Sequence, residues 1–187
     1  MPRYFDMTDN MRLKGRWHLR MPRDEHGGEV DPWQFFDGTP LDIQGTIRFP
    51  VKPTGKALEF TLASFAIPVV HARVVALFER LGIQEVQFIP VQVDGTSEPH
   101  FILNTLRIIR CIDDARCVEA KHWTPEDGQP EKVGEYRNVV GMRIDPAQAD
   151  GTHVFRPWGW RVAIIVSEEV KQALEREGIT GTQFVEV

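Results

Sequence analysis

The chain carries one pattern twice. Residues 71–91, HARVVALFERLGIQEVQFIPV, align without a gap on residues 167–187, SEEVKQALEREGITGTQFVEV, at an offset of 96 in a chain of 187 residues. Eight of the 21 aligned positions are identical: Val74/Val170, Glu79/Glu175, Arg80/Arg176, Gly82/Gly178, Ile83/Ile179, Gln87/Gln183, Phe88/Phe184 and Val91/Val187. Each copy reads as a helix, a glycine stop and a strand. Such a repeat constrains the fold because an amphipathic helix needs a surface for its apolar stripe, and a second copy supplies one.

In the first copy Val70, Val74, Leu77, Phe78 and Leu81 form one apolar stripe at helical spacing, starting after Pro68 and ending at Gly82. In the second, Ser167 is the expected N-cap, Glu168 and Glu169 suit the positive helix end, and Gly178 closes the helix behind Val170, Ala173 and Leu174. Strands are expected over 85–93 and 182–187, with Pro90 marking an edge position or a bulge in the former. The run 101–112, FILNTLRIIRCI, is apolar on both faces and is expected as a central strand. Further strands are expected over 43–49, where Ile43, Gly45, Ile47 and Phe49 alternate with polar residues, and over 161–166.

Isolated matches at the same offset, Phe5/Phe101, Gly45/Gly141 and Pro50/Pro146, extend the comparison to halves 1–95 and 96–187 sharing one mixed sheet. The expectation is a single α+β domain over 1–187. Residues 8–42 and 119–138, rich in Gly, Pro and charge, read as long connections, which in compact domains are often functional.

Composition enters where it excludes function classes. At 187 residues the chain is long enough to bury about 70% of its unfolded surface in one core. A net charge of -5 argues against direct nucleic-acid binding, which needs clustered Lys and Arg. No stretch of about 18 apolar residues marks a membrane span, and MPRYFDMTDN has no apolar leader core. Two cysteines, Cys111 and Cys117, in a chain of this size read as reduced thiols in a cytoplasmic protein.

Catalytic and metal patterns are weak. Cys111, Cys117 and His122 give C-x5-C-x4-H, wider than a zinc knuckle and one ligand short, so no metal or other cofactor is expected. No serine sits in G-x-S-x-G, the six histidines form no HExxH pair, and Lys52–Lys56 lacks the first glycine and the hydroxyl of a phosphate loop. Asp113 and Asp114 read as a turn at the end of a strand.

The five tryptophans carry more information. Trp17, Trp33 and Trp123 lie in the long polar segments, where each either pins its loop to the core through its ring or anchors a partner. Trp158 and Trp160 share a face if their stretch is extended, as a ligand-stacking platform or as a hydrophobic cover.

The stretches PWQFFDG at 32–38, IPVVHARVVALFERLGIQEVQFIPVQV at 67–93, FILNTLRIIRCID at 101–113, HWTPEDGQPEKVGEYR at 122–137 and FRPWGWRVAIIVSEEVKQALEREGITGTQFVEV at 155–187 together resemble the type-eleven immunity proteins (Imm-eleven) of bacterial polymorphic toxin systems. The resemblance implies a non-enzymatic cytoplasmic protein that binds and neutralises a cognate toxin domain, nucleases being frequent among such toxins. It supplies no catalytic residues.

An acidic inhibitor gains association rate against a basic nuclease surface. The first-choice contact surface is therefore 119–138, with Glu119, Trp123, Glu126, Asp127, Glu131 and Tyr136, and the second is Asp24, Glu25, Glu29, Asp31 and Trp33. Two rival readings remain. A small-molecule enzyme or ligand-binding protein would have a pocket near Trp158, Trp160, His100 and Asp113, and a structural adaptor would show a large apolar patch.

Overall fold

A computed structural model describes residues 2–187. In chain order it contains β1 (Tyr4–Asp9), β2 (Ile47–Phe49), β3 (Phe60–Ala63), β4 (Ile67–His71), α1 (Ala72–Arg80), β5 (Val86–Val93) and β6 (His100–Thr105). There follow β7 (Ile108–Ile109), β8 (Glu119–His122), β9 (Tyr136–Val140), β10 (Val154–Pro157), β11 (Ile165–Ser167), α2 (Glu168–Arg176) and β12 (Thr182–Glu186). Strand order is β12-β1-β11-β10-β7 in one sheet and β2-β5-β6-β4-β3 in the other, with β8 and β9 forming a separate ribbon.

Both repeat helices form, and α2 is α1 displaced by 96 residues at both ends. Their termini follow local chemistry. Ser167 Oγ accepts from the amide of Val170 at 3.4 Å, and His71 Nδ1 caps α1 by accepting from the amide of Arg73 at 3.1 Å. Gly82 at φ 70° and Gly178 at φ 66° then turn each chain off its helix in the left-handed region that favours glycine.

In each unit the strand before the helix and the strand after it run parallel, with one antiparallel strand between them. That middle strand comes from the other half of the chain. β6, from the second half, lies between β4 and β5; β1, from the first half, lies between β11 and β12. The register repeats as well. Tyr4↔Ser167, Phe5↔Val166 and Asp6↔Ile165 correspond at offset 96 to His100↔His71, Phe101↔Val70 and Ile102↔Val69. On the other side Phe5↔Glu186, Met7↔Phe184 and Asp9↔Thr182 correspond to Phe101↔Pro90, Leu103↔Phe88 and Thr105↔Val86. The Phe5/Phe101 match is thus the trace of two exchanged strands.

The helices lie in a shared inner core, where Val74, Leu77 and Phe78 of α1 and Val170, Ala173 and Leu174 of α2 pack with Phe5, Met7, Val70, Leu103 and Val166. The outer sheet faces are covered separately. Trp17, Leu19, Phe35 and Phe36 cover the sheet containing β5, and Cys111, Met142, Ile144 and Ala149 cover part of the sheet containing β11.

The α+β class with mixed sheets and two related helix-glycine-strand units stands, but the strands divide into two mixed sheets where one shared sheet was expected. The central strand stops at Thr105, seven residues short of the expected end, because its partner β5 begins at Val86 opposite it; Ile108–Ile109 then joins β10 in the other sheet. Of 43–49 only Ile47–Phe49 is extended, and 161–166 shrinks to Ile165–Ser167. β5 is an inner strand, yet the β2 ladder starts only at Val91, so Pro90 has β6 as its single neighbour and holds a local edge position. The 119–138 segment is a hairpin ribbon with turns at Pro125–Asp127 and Pro130–Lys132. Among the described residues no helix is long and apolar enough to cross a membrane.

Candidate partner-binding groove

Three remote segments meet at one groove of about 580 Å³, lined chiefly by Trp33, Phe36, Trp123, Tyr136, Trp160 and Val162. The first segment is fixed by a cap: Asp31 accepts from the amide of Trp33 at 3.0 Å and Pro32 starts a short turn. That turn sends Phe35 and Phe36 into the core and leaves Trp33 57% exposed. Trp33 stacks edge-on against Phe65 at 5.7 Å, a side chain itself 52% exposed. Phe65 and Ala66 both have positive φ, 61° and 55°. Two consecutive non-glycine residues in this region carry a cost of about 1–3 kcal/mol each, which places Phe65 on the surface against local preference.

The ribbon supplies the second wall. Trp123 exchanges backbone hydrogen bonds with the far strand, its amide donating to Glu135 O at 2.9 Å and its carbonyl accepting from Gly134 at 3.0 Å. Lys132 Nζ and the Arg137 guanidinium lie 5.1 and 5.4 Å from its ring centre. The loop after β10 forms the third wall. Gly159, at φ 75°, lets this loop approach the ribbon: an added Cβ would sit 3.1 Å from the Tyr136 ring. Its carbonyl accepts from the Tyr136 amide at 3.1 Å.

Most charges around the groove are engaged with each other. Arg161 bridges Asp37 at 3.1 Å and Glu135 at 3.5 Å, and Arg137 binds Asp127 at 2.6 Å. Beneath Phe36 lies Arg156, fully buried, its guanidinium 4.4 Å from the ring centre and bonded through Nη1 to Arg161 O at 2.6 Å. Burial pushes Arg156 down to about 9.

A second cluster locks the ribbon to the turn at 113–117. Tyr136 donates to Asp114 Oδ1 at 2.6 Å, while His122 faces Asp114 Oδ2 at 2.7 Å through Nε2 and Gly134 O at 2.9 Å through Nδ1. Both ring nitrogens face acceptors, an arrangement that favours the imidazolium, in which both donate. Accordingly the hydrogen bond from Tyr136 holds Asp114 below its ordinary value, and Asp114 raises His122. Burial and then Asp114 raise Tyr136, the reverse of what an activated nucleophile needs. The cluster is an anchor.

Of the first-choice residues, Trp123, Glu131 and Tyr136 line the groove, and Trp33 of the second choice joins them. The others lie elsewhere. Glu126 is exposed at the ribbon tip. Asp127 is consumed by its turn, where the Thr124 amide at 2.9 Å lowers its pKa. Glu119 binds Lys121 at 2.9 Å and Asn138 at 2.5 Å. Asp24 and Glu25 line a different depression with Arg23, His26 and Arg48. Asp31 serves as the cap, and Glu29 is exposed in the Arg23–Glu29 bridge. Phe65 and Val162 were not foreseen, since no pattern marks a phenylalanine held at positive φ.

The pocket expected near Trp158, Trp160, His100 and Asp113 does not assemble. The backbone turns at Gly159, so the tryptophans share no extended face. Trp158 lies under Arg110 at 3.3 Å, Trp160 lines the groove, and Asp113 borders a separate depression. His100 is buried between Trp17 and His71. Cys111, Cys117 and His122 diverge too. Cys111 is a free thiol in the core, pushed up to about 12 by burial; the free thiol of Cys117 accepts from the Arg143 amide at 3.4 Å, and His122 is held by Asp114.

Aromatic rings gathered from distant segments around one groove, with the neighbouring charges largely satisfied among themselves, make a surface suited to holding another molecule's side chains. The chain belongs to the immunity protein family Imm11, whose sequence model matches residues 1–187. No curated protein matches the chain.

Proposed function

We propose that this chain acts in the cytoplasm as one immunity domain spanning 1–187, without catalysis, cofactor or direct nucleic-acid contact. It neutralises a cognate toxin domain by covering it, and the toxin is a nuclease with a basic surface. The aromatic groove is the centre of contact, with the acid Glu131 at its rim and Glu126 further out at the ribbon tip. The observation that carries this reading is the convergence of Trp33, Trp123, Tyr136 and Trp160 from three segments, beside a Phe65 displayed on a left-handed backbone. Family membership supports the toxin, and the net charge of -5 suits a basic partner.

The test uses the toxin encoded beside this gene, in an inactive form. Trp123→Ala is expected to speed dissociation, costing about 2 kcal/mol as a central aromatic anchor. Glu126→Lys with Glu131→Lys is expected to slow association, with the loss shrinking as salt rises. Absence of both binding and protection by the unsubstituted chain defeats the immunity reading. Binding that neither variant alters defeats the choice of surface.

A further inference from the structure

We infer that β12 pairs edge to edge with β12 of a second copy of this chain, antiparallel and centred on Phe184. β12 ends its sheet and pairs only with β1 among the described residues. Asn10 donates to Gly181 O at 2.8 Å and Val187 donates to Tyr4 O at 3.1 Å. With this register, the backbone groups of Gln183 and Val185 face β1, while those of Thr182, Phe184 and Glu186 face outward. Among the described residues only Glu186 O has an outward partner, Arg143 Nη1 at 2.7 Å, and a carbonyl retains a second lone pair.

The other edge strands are met by neighbouring backbone, very short, or charged. β2 exchanges two backbone hydrogen bonds of 2.8 Å with Arg23. β3 is met by Thr180 O, which accepts from Phe60 at 2.9 Å, and by Leu19 O, which accepts from Ser64 at 3.2 Å. β7 has two residues, and the ribbon carries Glu119, Lys121 and Arg137. In the first unit the stretch equivalent to β12 is Val86–Pro90 of β5, which runs on into the β2 ladder from Val91 and which has Pro90 where β12 has Glu186. Proline is a usual defence of an edge, and β12 has none.

A second copy fits by self-complementarity. Antiparallel pairing centred on Phe184 sets Phe184 opposite Phe184, Thr182 opposite Glu186 and Gln183 opposite Val185. Each of the 184–184 and two 182–186 pairs exchanges two backbone hydrogen bonds. The strand's one charge, Glu186, meets a threonine, so no like charges face each other. Val185, 51% exposed, gains cover against Gln183 of the other copy. A contact five residues long falls below the area of a stable interface of about 1,000 Å², so the dimer is weak and concentration-dependent. It leaves the groove free, because β12 and β10 lie toward opposite ends of their sheet.

Sedimentation over a concentration series tests this without any toxin, so it stands or falls separately from the immunity reading. A reversible dimer is expected. The double variant Gln183→Glu/Val185→Glu sets carboxylates opposite each other twice and should weaken the dimer at least tenfold; Gln183→Lys/Val185→Lys should do the same. An equimolar mixture of the two should pair as a heterodimer, and circular dichroism checks that each remains folded. On concentration the amides of Thr182, Phe184 and Glu186 should become protected, whereas those of Gln183 and Val185 are protected throughout. A monomer up to about 1 mM, a dimer indifferent to both variants, or a mixture that fails to pair overturns the proposal.

Discussion

The two split units are alike where they face each other and unlike where they face outward. Their middle strands follow one register at an offset of 96, and both helices bury three residues at matching positions. Outward, Ile89 of β5 is 5% exposed beneath Phe35 and Phe36, whereas its counterpart Val185 in β12 is 51% exposed. The inner surfaces pack against each other in one core and share their pattern. The outer surfaces differ, and the groove lies outside the paired units, lined by the 33–37, 123–137 and 159–162 segments.

The strongest way to break this comparison is to cut the chain between the halves. Fragment 1–95 lacks β6 and so cannot join β4 to β5; fragment 96–187 lacks β1 and cannot join β11 to β12. Neither is expected to fold alone, and mixing them should restore the native circular dichroism spectrum. A fragment that folds cooperatively by itself would refute the reciprocal exchange.

Next in size are matched core truncations. Phe78→Ala in α1 is expected to cost about 3–5 kcal/mol and Leu174→Ala at the corresponding position of α2 about 2–5 kcal/mol, by denaturant unfolding. Equivalent units should both lose cooperative stability; a near-zero cost at either site would show that its helix is peripheral.

Asp6 in β1 has no acidic counterpart, since Ile102 stands at the matching place in β6. Burial pushes its carboxyl up to about 6 from an ordinary 3.8, against the pull of the Ile164 amide and Arg156. The folded pKa lies above the unfolded one, so stability is full below the ordinary value and falls as pH rises through about 6. The loss is up to about 3 kcal/mol. Asp6→Asn should flatten this slope, and unfolding measured between pH 4 and 7 checks it.

The smallest effect sharpens the account of the ribbon. Asp114 raises His122 above 6.5, so the contribution of this pair is present below that value and is lost as pH climbs through the raised one. The pair is partly exposed, which limits the effect to less than about 1 kcal/mol. His122→Gln should remove the dependence, and the ring-proton titration by magnetic resonance should report the upward shift.

Local chemistry was legible in the sequence. The caps, the glycine stops and the periodic burial of α1 and α2 depend on residues within a few positions of each other, so spacing reveals them. The aromatic character of the site was legible in part, through Trp33, Trp123 and Tyr136, but read as two rival surfaces. Asp127 and Asp31 looked like free acids and are turn caps, because composition cannot tell an unpaired carboxylate from one accepting a backbone amide. Phe65 left no signal, since its exposure comes from a positive φ imposed by the chain around it.

The sequence by itself determined two helix-glycine-strand units, their offset and the family to which they belong. The tertiary structure decided that each unit takes its central strand from the other half, and that Trp33, Trp123 and Trp160 meet in one groove. The physical reason is range. Caps and periodicity act over one or two helical turns, whereas strand pairing and ring convergence are selected only when backbone hydrogen bonds and buried area are satisfied across the whole chain at once.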